Sequence, residues 1–496
     1  MFETAELGRK VDKDTFAAAV QDLRLGLLEA QRRAREAGVP VIVLITGVSG
    51  AGKGQVVNRL LEWLDSRGVQ VQAYWDETDE ELQRPRWWRY WRTLPAAGSI
   101  GVLFGGWYTP ILLDQIAGRA DALALAAEIT RIVDTERMLV RAGVLVLKFW
   151  CHLPEKEQGK RIKKRRKDPE SHWRMAPETV RYADHYKDFV RVGAQVLRET
   201  DTGDAPWYLI EATDHRYRDL TIGQTLLKAL QARLDAPPAN ETLSTSHAPV
   251  LPDAPSARIT VLDHVDTDQA LARKEYHKEI DHWQAEVNRL TWKAFRARRP
   301  CAAVFEGWDA AGKGGAIRRL TQSMDARLYT VVPSGAPTDE EAAHHYLWRF
   351  WRHIPRDGYC TVFDRSWYGR VLVERVENFA APIEWARAYH EINDFESQLV
   401  EHGIVLTKFW LHIDKDEQLH RFRQREQTPY KQHKITPDDW RNRDRWDDYR
   451  AAVNEMVVRT STEYAPWEIV PANDKRLARV VVIRAFAKCL KAALDG

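Results

Sequence analysis

The chain has 496 residues, 44% hydrophobic and 29% charged, with a net charge of +3. That length exceeds one ordinary core, so two or more domains are expected. No apolar run nears the ~20 residues of a bilayer span. The N-terminus is charged and lacks the apolar stretch of a secretory leader, and the near-balanced charge excludes a chain that attracts polyanions over its whole surface.

In chain order, the first clear element is "PVIVLIT" (Pro40–Thr46), a short apolar run suited to a strand buried on both faces. It leads into "LITGVSGAGKGQVVNRL" (Leu44–Leu60), a glycine-rich loop followed by helix-compatible sequence. "WRYWRTLP" (Trp88–Pro95) reads as helix packing with arginines outward, and His152 after "KFW" reads as a satisfied core histidine, as does His412. "KRIKKRRK" (Lys160–Lys167) carries seven basic residues in eight. A solvated helix face is the plain reading of such a run, and a track for a linear polyanion is the functional one. No aromatic platform interleaves with it, which argues against single-stranded nucleic acid as the partner. Residues 236–257, rich in Pro, Ser and Ala, read as a linker between domains at 1–235 and 258–496.

The second half restates the first. A helix is expected over Lys278–Arg299, with Ile280, Trp283, Val287 and Leu290 as its core stripe. "CAAVFE" (Cys301–Glu306) then supplies a strand, "FEGWDAAGKGGAIRRL" (Phe305–Leu320) a loop and helix, and "YCTVF" (Tyr359–Phe363) and "GIVLTKFWLHI" (Gly403–Ile413) further strands. Lys53 and Lys313 are 260 positions apart, and that offset also superposes "WRYW" on "WRFW" and each "WY", "KFW" and "APW" on its twin. So long a repeat is a duplicated domain, not a solenoid. Alternating strands and helices predict an α/β fold, a parallel sheet between helical layers, in each copy. The four scattered cysteines include no CxxC pair and read as reduced thiols of a cytoplasmic protein.

Both loops resemble G-x-x-x-x-G-K-[ST], in which backbone N–H groups and a helix N-terminus cradle phosphate, Lys adds charge and a hydroxyl binds Mg²⁺. Gly307, Gly312 and Lys313 match, but Gly314 replaces the hydroxyl residue. A plain glycine-rich turn is the competing reading. Asp309 in the loop and Asp364 after "YCTVF" are the economical carboxylates for Mg²⁺, which needs only one or two from protein. Read structurally instead, Asp309 is a turn residue or cap and Asp364 a strand-end salt bridge.

"GWDAAGKGG", "DRSWYGR" (Asp364–Arg370), "WRFW" and "APW" together resemble the polyphosphate kinase 2 family, in its fused two-domain class. The resemblance implies two tandem P-loop kinase-like αβα domains, each with a helical lid. It implies Mg²⁺-dependent transfer of a phosphoryl group from inorganic polyphosphate to AMP, giving ADP. It assigns Asp309 and Lys313 to the first phosphate-binding motif and Asp364 and Arg365 to the second. Arg421 and Arg425, one turn apart, become lid arginines, with Lys431 and Lys434 beyond them, and Arg318 and Arg370 join the expected phosphate ligands. Gly369 departs from an Asn found in many relatives. A homo-oligomer is compatible with this plan, and a membrane or nucleic-acid partner is not expected. An ATP-dependent kinase on the same fold and a non-catalytic polyanion binder are the rival functions.

The offset also separates the copies. Asp309 maps to Ser49, Asp364 to Phe104, Arg365 to Gly105 and Ser366 to Gly106, while Lys53 survives. The first copy is therefore expected to be catalytically degenerate and the second to carry the activity.

Overall fold

The computed structural model describes residues 1–167, 184–236, 260–429, 432 and 435–495. It divides into two compact units. One comprises Met1–Asp76, Thr93–Ser244 and Ala343–His345, the other Glu77–Arg92, Thr245–Ala342 and Tyr346–Gly496. Among the described residues no helix is long and apolar enough to cross a membrane.

The first unit is built on five strands: β1 (Val41–Gly47), β2 (Val69–Ala73), β3 (Ile100–Phe104), β4 (Leu145–His152) and β5 (Trp207–Glu211). They lie in the order β2-β3-β1-β4-β5 and every pairing is parallel. The second unit repeats this plan with β6 (Cys301–Gly307), β7 (Tyr329–Pro333), β8 (Cys360–Asp364), β9 (Val405–His412) and β10 (Trp467–Pro471), ordered β7-β8-β6-β9-β10 and again wholly parallel. The central strands explain their sequences. All seven residues of β1 are buried, as are six of seven in β6, because helices cover both faces and leave no solvent side to alternate toward.

In the second unit one helical layer comprises Arg273–Arg296, Lys313–Thr321 and Lys475–Asp495. Pro382–Glu401 and Trp446–Thr460 pack together in the other. The expected stripe on the first of these helices holds at Ile280, Val287 and Leu290, whereas Trp283 is only half-buried and donates its indole N–H to Glu279 at 3.1 Å. "WRFW" is a single helical turn, Trp348–Trp351, with Trp348, Phe350 and Trp351 in the core. Its arginines face acids: Arg349 lies 3.2 Å from Glu341 and Arg352 3.0 Å from Glu340. All four cysteines are free thiols.

Candidate active site

A parallel sheet sends its loops out from the carboxyl ends of its strands, and open α/β folds bind ligands there. In the second unit the two central strand ends carry the chemistry. β6 runs into the loop at Gly307, and β8, its neighbour, ends at Asp364, which pairs with Phe305. At Gly307 the backbone has φ 151°, and a Cβ there would lie 2.6 Å from the Leu411 carbonyl oxygen, so only glycine lets β6 leave the sheet so close to β9. Gly312 caps the helix Lys313–Thr321 from the left-handed region. Lys313 Nζ curls back to donate to the carbonyls of Gly307 (2.6 Å) and Trp308 (3.3 Å). Burial, then the neighbouring Arg365 charge, pushes the Lys313 pKa down. At Gly314 a Cβ would meet nothing within 4 Å, so space does not forbid the missing hydroxyl.

Asp309 is the hub. Its Oδ1 accepts from Arg365 Nη2 at 2.9 Å and its Oδ2 from Asn442 Nδ2 at 2.9 Å. Asn442 lies on the helix Pro437–Asp444 and in turn accepts from Tyr449 Oη at 3.1 Å. Gln418, on the helix Lys415–Gln427, donates to the Asp309 backbone carbonyl at 3.2 Å. Three segments far apart in sequence thus converge on this residue, two on its carboxylate and one on its backbone carbonyl. Asp364 belongs to the same electrostatic group, since its charge acts on Lys313. A cleft of about 60 Å³ is walled by Glu306, Asp309, Lys313, Arg365, Gly369, Trp410, Asn442 and Tyr449, among others. Trp308 forms part of it and stacks on Trp446, ring centroids 3.8 Å apart, while donating to His412 Nδ1 at 3.1 Å.

The remaining expected phosphate ligands are dispersed. Arg318 is exposed on the helix after the loop. Arg370 pairs with Glu374 at 3.1 Å and lies over the Tyr346 ring. Arg421, expected in the lid, is buried. Its guanidinium donates to the carbonyls of Ala310, Ala311, Ala472 and Asn473 at 2.7–2.9 Å and to Glu417, so in this structure it braces the loop from behind. Arg425 is half-buried one turn further on. Lys431 and Lys434 lie outside the described residues.

Two residues in the loops break a conformational rule. Ala310 (φ 63°) and Arg365 (φ 65°) occupy the left-handed region, which costs a side chain about 1–2 kcal/mol. The first unit places glycine at both matching positions, Gly50 (φ 84°) and Gly105 (φ 82°). The backbone path has therefore been kept in both copies, and the second tolerates strain where Arg365 reaches Asp309. In the first unit Lys53 repeats the curl, donating to Gly47 (2.8 Å) and Val48 (3.2 Å). Its surroundings differ: a cleft of about 100 Å³ is walled by Ser49, Tyr74, Trp75, Phe104, Tyr186 and Phe189, with no carboxylate among its described lining. Among the described residues no cluster of three His, Cys, Asp or Glu side chains is built to hold a metal. Carboxylate oxygens are the donors a hard cation takes from protein, and both oxygens of Asp309 here accept from Arg365 and Asn442, so a cation at Asp309 would share or displace those donors.

Comparison with known proteins shows the family. The family model for polyphosphate kinase 2 matches residues 10–237 and 270–495. A polyphosphate:AMP phosphotransferase of Pseudomonas aeruginosa is 50% identical over 99% of each chain, one of Pseudomonas syringae pv. tomato 47% identical over 99% of each, and one of Acinetobacter johnsonii 39% identical over 98% of this chain and 100% of its own. A Pseudomonas aeruginosa crystal structure assigned to polyphosphate kinase 2 superposes with a TM-score of 0.89 at 48% identity, covering 100% of this chain and 99% of that one. With both halves matched, and with the paired strand ends, the loops and the offset all shared by one duplicated plan, the chain belongs to the polyphosphate kinase 2 family.

Proposed function

We propose that the second half, residues 258–496, transfers the terminal phosphoryl group of inorganic polyphosphate to AMP, forming ADP, and that the first half, 1–235, does not catalyse. The observation that carries this reading is the convergence of Asp309, Lys313, Asp364 and Arg365 on two adjacent strand ends, against Ser49, Phe104 and Gly105 in the other copy. Phosphoryl transfer asks for aim and charge stabilisation more than covalent chemistry. Lys313 and the loop N–H groups orient the transferred phosphoryl, and Arg365, fixed by Asp309, offsets the charge on its oxygens. The acceptor needs no general base, since a phosphate monoester loses its second proton near pH ~6. Asp309 and Asp364 would hold Mg²⁺, which supplies charge neutralisation across the phosphate oxygens. The helices Lys415–Gln427 and Pro437–Asp444 cover the loop and exclude water that would otherwise hydrolyse the donor. The polyanion is polyphosphate, not nucleic acid, and the protein works in the cytoplasm without a membrane.

The test is direct. Purified protein with AMP, polyphosphate and Mg²⁺, without ATP, is expected to yield ADP. Turnover only when ATP replaces polyphosphate would favour the conventional kinase, and binding without turnover the polyanion binder.

A further inference from the structure

We infer that Glu306 is a positioning residue for this reaction: through Ser366 it fixes the backbone from which Arg365 projects. Glu306 is the last side chain of β6 before the loop and is buried. One of its oxygens, Oε1, accepts both the backbone N–H and the hydroxyl of Ser366, each at 2.8 Å. Ser366 immediately follows Arg365, so this pair of hydrogen bonds ties the second motif to the root of the first. With Ser366 anchored in an extended conformation (φ −150°, ψ −163°), Arg365 stays left-handed and its guanidinium stays on Asp309. A buried carboxylate requires such partners, and Lys313 and Arg365 stand close enough to act on its charge.

The first copy supplies an internal control. Thr46 replaces Glu306 and Gly106 replaces Ser366, so both partners are gone together. There the backbone differs: Gly106 has φ 49°, against −150° at Ser366, while its neighbour Gly105 keeps the left-handed path of Arg365. The Glu–Ser tie therefore accompanies a change of path directly beside the arginine position, in the copy that retains the arginine. Elements that orient reacting groups matter out of proportion to their size, because a 1 Å misplacement costs on the order of 10²-fold in rate.

The inference rests on the reading of Asp309 and Arg365 as reacting-site residues, and the variants separate the two. Glu306→Ala is expected to lower kcat about 10²-fold while leaving the KM for AMP within about threefold. Glu306→Gln keeps an oxygen that can accept both Ser366 donors and is expected to stay within about tenfold of the parent. The double variant Glu306→Ala/Ser366→Ala is expected to be no slower than Glu306→Ala alone, because both substitutions cut the same tie. If Glu306→Ala does not fold, Ser366→Gly, which frees the backbone at the anchored position, takes its place with the same expected fall. Glu306→Gln as slow as Glu306→Ala would assign the residue a charge role and overturn the inference. So would Glu306→Ala at the parental kcat, or effects of the two sites that simply multiply. Asp309→Ala retaining full activity, by contrast, would strike the functional reading itself.

Discussion

Asp309→Asn removes one charge and one of the two acceptor oxygens that Arg365 and Asn442 use. The amide has nearly the shape of the carboxylate, so its oxygen can keep the contact with Arg365 as an ion–dipole hydrogen bond while its nitrogen faces the Asn442 donor. The stability cost is small: the Asp309–Arg365 pair is 2.9 Å long, but the arginine side chain is 46% exposed and the aspartate 14%. An ion pair open to solvent on one side contributes about 1 kcal/mol or less. For a unit of over 200 residues that shifts Tm by about 2–4 °C at most. The catalytic cost is of another order. Losing one preorganised electrostatic contact to the reacting group costs about 10²–10³ in kcat, or about 2.7–4 kcal/mol. The assay is ADP formation from AMP and polyphosphate, with thermal unfolding run in parallel. Activity within threefold of the parent, or a loss fully explained by unfolding, would refute the assignment of Asp309 as the hub.

Other outcomes follow from the asymmetry of the copies and from the buried groups. Lys313→Ala should abolish turnover, and Lys53→Ala should leave most of it, as read by the same assay on folded protein. The KM for polyphosphate should rise at least roughly tenfold between low and high salt, because binding a linear polyanion releases counterions; a KM flat with salt would contradict the basic track. His412 is held near a pKa of about 4, mainly by burial and then by Arg450, against an ordinary value of 6.5. Its folded pKa lies below its unfolded one, so the unfolded chain binds the extra proton between these values. The stability it contributes is present above pH 6.5 and is lost as pH falls toward 4, on the order of 1.4 kcal/mol per pH unit. His412→Gln should flatten that part of a Tm–pH curve. Gly307→Ala should prevent native folding of the second unit, since its Cβ has the Leu411 backbone in its path, and a soluble variant with the parental Tm would count against that contact.

Much of the architecture was legible because its signals are local. β1, β6, β8 and β9 fall within a residue or two of their apolar runs, since strands buried on both faces leave an unbroken hydrophobic signature. The loop was legible because glycine and lysine there answer to backbone geometry. Asn442 was not: it meets Asp309 across 133 positions, and nothing near it in the chain announces that contact. The placement of Arg421 was not legible for a related reason, because a basic residue on a helix looks the same from sequence whether it faces phosphate or backbone carbonyls. Glu306 could have been found. The offset that exposed the loss of Asp309 and Arg365 also pairs Glu306 with Thr46 and Ser366 with Gly106.

The left-handed turn at Gly106 also bears on ancestry. Installing serine there would drive its Cβ to 2.2 Å from Cδ2 of Leu44, a buried residue whose counterpart in the other half is the smaller Val304. On the reading proposed above, returning a serine to the first half asks Leu44 to shift or shrink, a core change with no catalytic reward of its own. The path at Gly106 thus works as a ratchet: a core fitted around glycine closes one route by which the tie of the other half could be installed there.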